Sequence, residues 1–184
     1  MAHAHNVIIR GLNAILQQAP YVPIATDEHF KAQDVKDLLS YVQSWAKMVH
    51  HHHWVEETCM FPEIDKFTQR PGFMDDPMHQ HELFHDGLEN LLAYSSGTTP
   101  EEYRWKGADG MEKIFDSFSK DLTDHLYAEI DVFLSMGDYD SAGLKKIWEK
   151  AEKVAMQSGN MAMLVCSRPI FPYTRWSSNL SATV

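Results

Sequence analysis

The chain has little that would hold it together covalently or carry it into a membrane. Its 184 residues include two cysteines, Cys59 and Cys166, too few for a disulfide framework. The longest uninterrupted apolar run, Met161 to Cys166, falls far short of a membrane span. The opening MAHAHNVIIRGL lacks the basic segment and following apolar run that export requires. Basic residues are outnumbered, 16 against 26 acidic ones, and the formal net charge is −10. Nucleic acid and anionic membrane surfaces both select for lysine and arginine, so neither is expected as a partner. No repeat of 20 to 50 residues and no low-complexity segment stands out. These absences leave a soluble, cytoplasmic protein of one domain over residues 1–184, long enough to bury a sizeable core.

What the chain does have is histidine, 11 in all. Four of them open the stretch His50 to Pro62, HHHHWVEETCMFP. A purification tag is the simplest source of such a run, but this one is internal and continues a helical pattern. Leu38, Val42, Trp45 and Val49 recur at steps of four and three, marking one buried helical face. The same steps then reach His52, Glu56 and Cys59. A charge left bare on a buried seam costs several kcal/mol, roughly, unless something binds it. A histidine and a glutamate four residues apart share one helical face and can reach a common metal ion. His53 and Glu57 are also four apart and lie close to that face; His52 and Glu56 are preferred because they continue the seam.

The pattern returns along the chain. A first helix carries Ile8, Ile9, Leu12, Ile15 and Leu16, with His5 on the same stripe and Pro20 at its end. Residues 20–33 read as a loop. The second helix is expected from about Asp34 to Phe61, with Pro62 kinking or ending it. Asp76 and Pro77 read as the start of a third helix, with His81, Phe84, His85, Leu88, Leu91 and Leu92 on one face and Gly97 at its end. After Gly107 and Gly110, a fourth helix shows Met111, Phe115, Phe118, Leu122, His125, Glu129 and Val132 at alternating steps of four and three. A fifth is expected from Ser141 to about Gln157, with Leu144, Ile147, Trp148, Ala151 and Val154 inward. The segment from Gly159 to Val184, with its prolines and aromatics, shows no clean periodicity.

Collected, the seam residues are His5, His52, Glu56, His81, His85, His125 and Glu129. Four amphipathic helices thus each bring ligands to a buried face, and facing helices of a bundle are a known way to build a core metal site. Five imidazoles and two carboxylates exceed what one tetrahedral zinc takes. With both carboxylates and one oxygen bridging, they fill all but one of the positions that two six-coordinate ions offer. Imidazole and carboxylate suit iron, with manganese and zinc as weaker candidates, and the scarcity of thiolate argues against iron-sulfur chemistry.

On these residues the chain resembles the hemerythrin-like, or HHE cation-binding, family. That family's pattern is a lone histidine, then H-x-x-x-E, H-x-x-x-H and a last histidine with an acid. Here these are His5, HHWVE at 52–56, HELFH at 81–85 and HLYAE at 125–129. The resemblance spans about residues 5 to 135. It implies an all-α, up-and-down four-helix bundle over about 4–136 around a non-haem di-iron centre, oxo- or hydroxo-bridged, with an extension over about 138–184. It further implies dioxygen, or a small molecule such as nitric oxide or peroxide, as the ligand of the open iron position. The oxygen-carrying members place an aspartate five residues after the last histidine, where this chain has Ile130; Glu129 follows the wider family's H-x-x-x-E form. The histidine-rich donor set favours small-molecule binding. The alternative is a di-iron oxidase or oxygenase acting on a small organic substrate, with residues 20–33, the fifth helix and the tail walling a pocket.

Overall fold

The computed structural model describes residues 1–158; the aperiodic segment from Gly159 onward, including Cys166, lies outside them. Among the described residues the regular structure is entirely helical. Helix α1, Ala2–Gln18, buries His5, Ile8, Leu12 and Ile15 on one face. Pro20 turns it into a single 3-10 turn, Ala19–Tyr21. Helix α2, Ala32–Val55, runs two residues ahead of the expected start, and its buried stripe includes Leu38, Val42, Trp45 and Val49.

Pro62 does not end this helix. A five-residue π-helical turn, Glu56–Met60, joins α2 to helix α3, Phe61–Thr68. Proline at the second position of α3 has no N–H to donate, and the preceding π turn, where the Phe61 N–H reaches the Glu56 carbonyl, carries the helix past it. The chain reverses at Gln69, which takes a left-handed φ of 55°. The Asp65 carboxylate accepts the Gly72 and Met74 amides at 2.9 and 3.0 Å and fixes the turn. Helix α4 spans Asp75–Gly97, and Asp75 and Asp76 in its first turn complement the helix dipole. Its N-cap residue is Met74 rather than Asp76, so Pro77 falls two residues deeper in the first turn than expected.

The expected fourth helix is broken into α5, Met111–Asp116, and α6, Ser119–Leu134. The break falls at Phe118, whose φ of −141° and ψ of −22° lie outside the helical range. Phe118 is buried against α4 where Gly87 leaves space; a Cβ on Gly87 would stand 2.4 Å from the Phe118 Cβ. Helices α1, α2, α4 and α6 close an up-and-down four-helix bundle, with α6 packing back on α1. Helix α7, Ser141–Ser158, lies outside the ring against α2, the π turn and α3. It buries Ile147 and Ala151, whereas Trp148, expected inward, is 40% exposed.

Two apolar clusters result. One fills the bundle around Trp45, Phe115 and Phe118. The other gathers Val55, Met60, Phe61, Ile64 and Met74 beneath α7. Val49 belongs to the first cluster and Val55 to the second, so residues 50–54 of α2 bridge them. No helix among the described residues is long and apolar enough to cross a membrane.

Candidate metal centre

Between the two apolar clusters lies a buried polar group. His5 comes from α1, His52 and His53 from α2, Glu56 from the π turn, His81 from α4, and His125 and Glu129 from α6. Their donor atoms fall into two sets, each compact enough to hold one ion. His53, Glu56, His81 and His125 form the first; His5, His52, Glu56 and Glu129 form the second. Glu56 is common to both. Its Oε1 lies 3.0 Å from His52 Nε2 and its Oε2 3.7 Å from His81 Nε2, so the carboxylate extends one oxygen towards each set. Across the second set, Glu129 Oε2 lies 2.9 Å from His5 Nε2.

The outer ring nitrogens are held by the protein. His5 Nδ1 is 2.9 Å from the Leu126 carbonyl, His81 Nδ1 is 2.6 Å from Glu57 Oε1, and His125 Nδ1 is 3.1 Å from Gln80 Oε1. Each partner is an acceptor, so Nδ1 carries the proton and Nε2 turns a lone pair inward. His81 and His125 thereby aim two unprotonated nitrogens at each other across 3.1 Å. Nothing in the protein answers them. The Nε2 atoms of His5, His52 and His53 and both oxygens of Glu56 and of Glu129 are likewise buried without a hydrogen-bond donor. Buried polar atoms are ordinarily paired. Seven side chains converging unpaired on two points fit a pair of cations, and the imidazole and carboxylate donors suit a transition metal.

Burial sets the ionisation of the group in the absence of a cation. It holds His53 well below its usual value, His52 at about 4 and His125 at about 3. It lowers His81 too, although hydrogen bonding to Glu57 opposes the shift. The same burial raises Glu56 well above the usual carboxylate range and, with the charge of Glu56 nearby, brings Glu129 to about 7. The rings are therefore neutral near pH 7, the form in which imidazole coordinates.

Six of the seven residues selected from sequence stand in the two sets. His85 does not. Its side chain is 58% exposed, beside Asp86 and edge-on to His50, because the buried stripe of α4 passes from His81 through Phe84 to Leu88. His53 takes the fifth imidazole position, packed 4.4 Å from the His81 ring and 5.3 Å from the His125 ring between centroids. The two registers weighed from sequence, 52 with 56 and 53 with 57, both contribute. His52 and His53 face different sets, Glu56 lies between the sets, and Glu57 stands behind His81. Gln80 had no signal in the sequence beyond its place beside His81. Asp124 pairs with Lys120 and Asp131 is exposed, so neither carries a ligand ring. Trp45 donates to the Ile8 carbonyl at 3.0 Å deep in the bundle, and Trp54 and Tyr127 are exposed.

Comparison with known proteins agrees with this geometry. The profile of the hemerythrin HHE cation-binding domain matches residues 1–137, which take in all seven converging side chains. The chain belongs to the hemerythrin HHE cation-binding family. This hemerythrin-like chain is also similar to the "Dimeric xanthone biosynthesis cluster protein R11" of Cryptosporiopsis sp. (strain 8999), 37% identical over 153 residues. The matched segment is 83% of this chain and 55% of that protein, so the chain spans about half the relative's length. The match continues beyond the hemerythrin domain into the α7 region, since 153 residues exceed the 137 of the domain. No solved structure matches the chain.

Proposed function

We propose that this hemerythrin-like chain holds two irons and uses dioxygen to oxidise a small organic molecule. The observation that carries the reading is the sharing of Glu56 between two donor sets, one with three imidazoles and one with two imidazoles and a second carboxylate. A pair of irons held there supplies redox equivalents for dioxygen chemistry. The residues of the chain hold and insulate the pair. Glu57, Gln80 and the Leu126 carbonyl orient the rings, and the two apolar clusters border the group on either side.

An oxidoreductase is favoured over a simple carrier by a cavity of about 320 Å³ whose lining includes His52 and Glu56. A diatomic ligand needs far less space, whereas organic ligands occupy cavities of about 300–1,000 Å³. The relative's name, a xanthone biosynthesis cluster protein, supports the same reading. Small-molecule binding, of dioxygen or nitric oxide, is the second reading, favoured by the excess of imidazole over carboxylate among the donors.

The test is to load the chain with iron, reduce it anaerobically and mix it with oxygen, following absorption and oxygen consumption. Sustained oxygen uptake that depends on an added organic substrate is expected. If it needs no reductant, the substrate supplies the electrons; if it requires one, an electron-donor partner takes part. A reversible oxygenated spectrum with no sustained uptake for any substrate would instead establish the binding reading.

A further inference from the structure

The cavity beside His52 and Glu56 has a composition that narrows what it admits. One wall is helix α7, where Trp148, Ala151 and Ala155 follow one another at steps of three and four and so share a face. The opposite wall is Val55 and Met60. Two alanines beside an indole leave a shallow shelf, and a flat ring can lie on such a surface with its face or edge against the indole. Met60 and, at the far end, Met156 add polarizable thioethers that favour aromatic partners.

Polar groups narrow it further. Glu56 and the exposed Glu152 line the cavity together with the Met1 amino group, His51 and His52, so acids, imidazoles and an amine share its surface. A hydroxyl can hydrogen-bond to an imidazole or a carboxylate there. Trp148 and Met60 also line a second apolar cleft of about 310 Å³ between α7 and the end of α6, bounded by Ile64, Phe133, Leu144 and Ile147. Trp148 and Met60 thus border both hollows.

Resting on the oxidoreductase reading above, we propose that the α7 cavity is the substrate site, that it takes a planar aromatic molecule bearing a hydroxyl group, and that Trp148 determines this choice.

Binding can be measured on the full chain without turnover, by calorimetry with 2-naphthol, 2-naphthoate and cyclohexanol as probes. Selective binding of 2-naphthol is expected, with at least tenfold weaker affinity for 2-naphthoate, which lacks the hydroxyl, and for the saturated alcohol. Trp148→Ala and Ala155→Phe, one removing the platform and one filling the shelf, are each expected to weaken 2-naphthol by tenfold or more. Trp148→Phe should recover most of that loss, and iron content should stay unchanged throughout, which separates a binding role from a structural one. Equal affinity for all three probes, or unaltered naphthol binding in both disruptive variants, would overturn the proposal. The two readings fail separately. Naphthol binding lost in the variants, with no oxygen-dependent oxidation, would sink the oxidoreductase reading alone; substrate-dependent oxygen uptake untouched by Trp148→Ala and Ala155→Phe would sink the α7 site alone.

Discussion

A single residue decides how the donor set is shared between the two points of convergence. His53 sits among four aromatic or imidazole rings, 5% exposed, with its Nε2 buried and unpaired, whereas His85 points to solvent. His53→Ala is therefore expected to lose metal from the set it shares with His81 and His125, and His85→Ala to keep a full complement, both read by elemental analysis. The sequence made His85 the better candidate, because H-x-x-x-H on one helix is a strong local pattern. It could not show that the buried stripe of α4 runs through His81, Phe84, Leu88 and Leu91 and leaves His85 beside it. The run at 50–53 hid the opposite fact. Successive residues lie about 100° apart on a helix, so His52 and His53 can flank the seam and serve different ions.

At the scale of elements, the π turn and two close helix crossings hold the site in place. The extra residue of a π turn shifts the register of all that follows, and such turns are often found at functional sites. Here it begins at Glu56 and ends at Met60, so the shared carboxylate and a wall of the α7 cavity belong to one irregular segment. Sequence periodicity carried the seam correctly as far as Glu56, then expected Pro62 to kink or end a helix that continues, through the π turn, to Thr68. The break before α6 was equally hidden, since Phe115, Phe118 and Leu122 keep helical spacing across it. The crossings depend on glycine. A Cβ at Gly11 would meet Trp45 Cδ1 at 2.3 Å, and one at Gly87 would meet Phe118 Cβ at 2.4 Å. Neither contact is with a mobile side-chain end. Gly87→Ala is expected to destabilise the chain by about 1–3 kcal/mol, through overpacking that α4 and α6 cannot relieve; urea unfolding measures it. A loss within about 0.5 kcal/mol, the range of an ordinary surface change, would contradict the packing described.

For the whole molecule, the bundle trades stability for a polar core, and the trade has a pH signature. Without metal, His52, His53, His81 and His125 are held below their unfolded value of 6.5, so on acidification the unfolded chain takes up their protons first. That makes stability fall as pH drops from 6.5 towards 4. Glu56 and Glu129 are raised above their unfolded 4.5, so over much of the same window the folded chain takes up their protons first, which opposes the fall. Four groups act against two. The melting temperature of metal-free protein is expected to decrease between pH 6.5 and 5; an increase would mean that the carboxylates dominate. Four amphipathic helices and six of the converging residues were legible in the sequence because burial imposes helical periodicity. The cavity was not, since it depends on how α7 docks outside the ring, and Trp148 shares its stripe with residues that are buried.

The central claim is that one carboxylate serves two metal ions, and counting ions tests it most directly. Elemental analysis of the iron-loaded chain should give two equivalents per protein. Glu56→Ala should lower binding at both positions, while Glu57→Ala, which removes only the support behind His81, should retain both ions at saturating metal and bind them about 10–100-fold more weakly. One equivalent in the unaltered chain, or two retained tightly in Glu56→Ala, would contradict the shared centre.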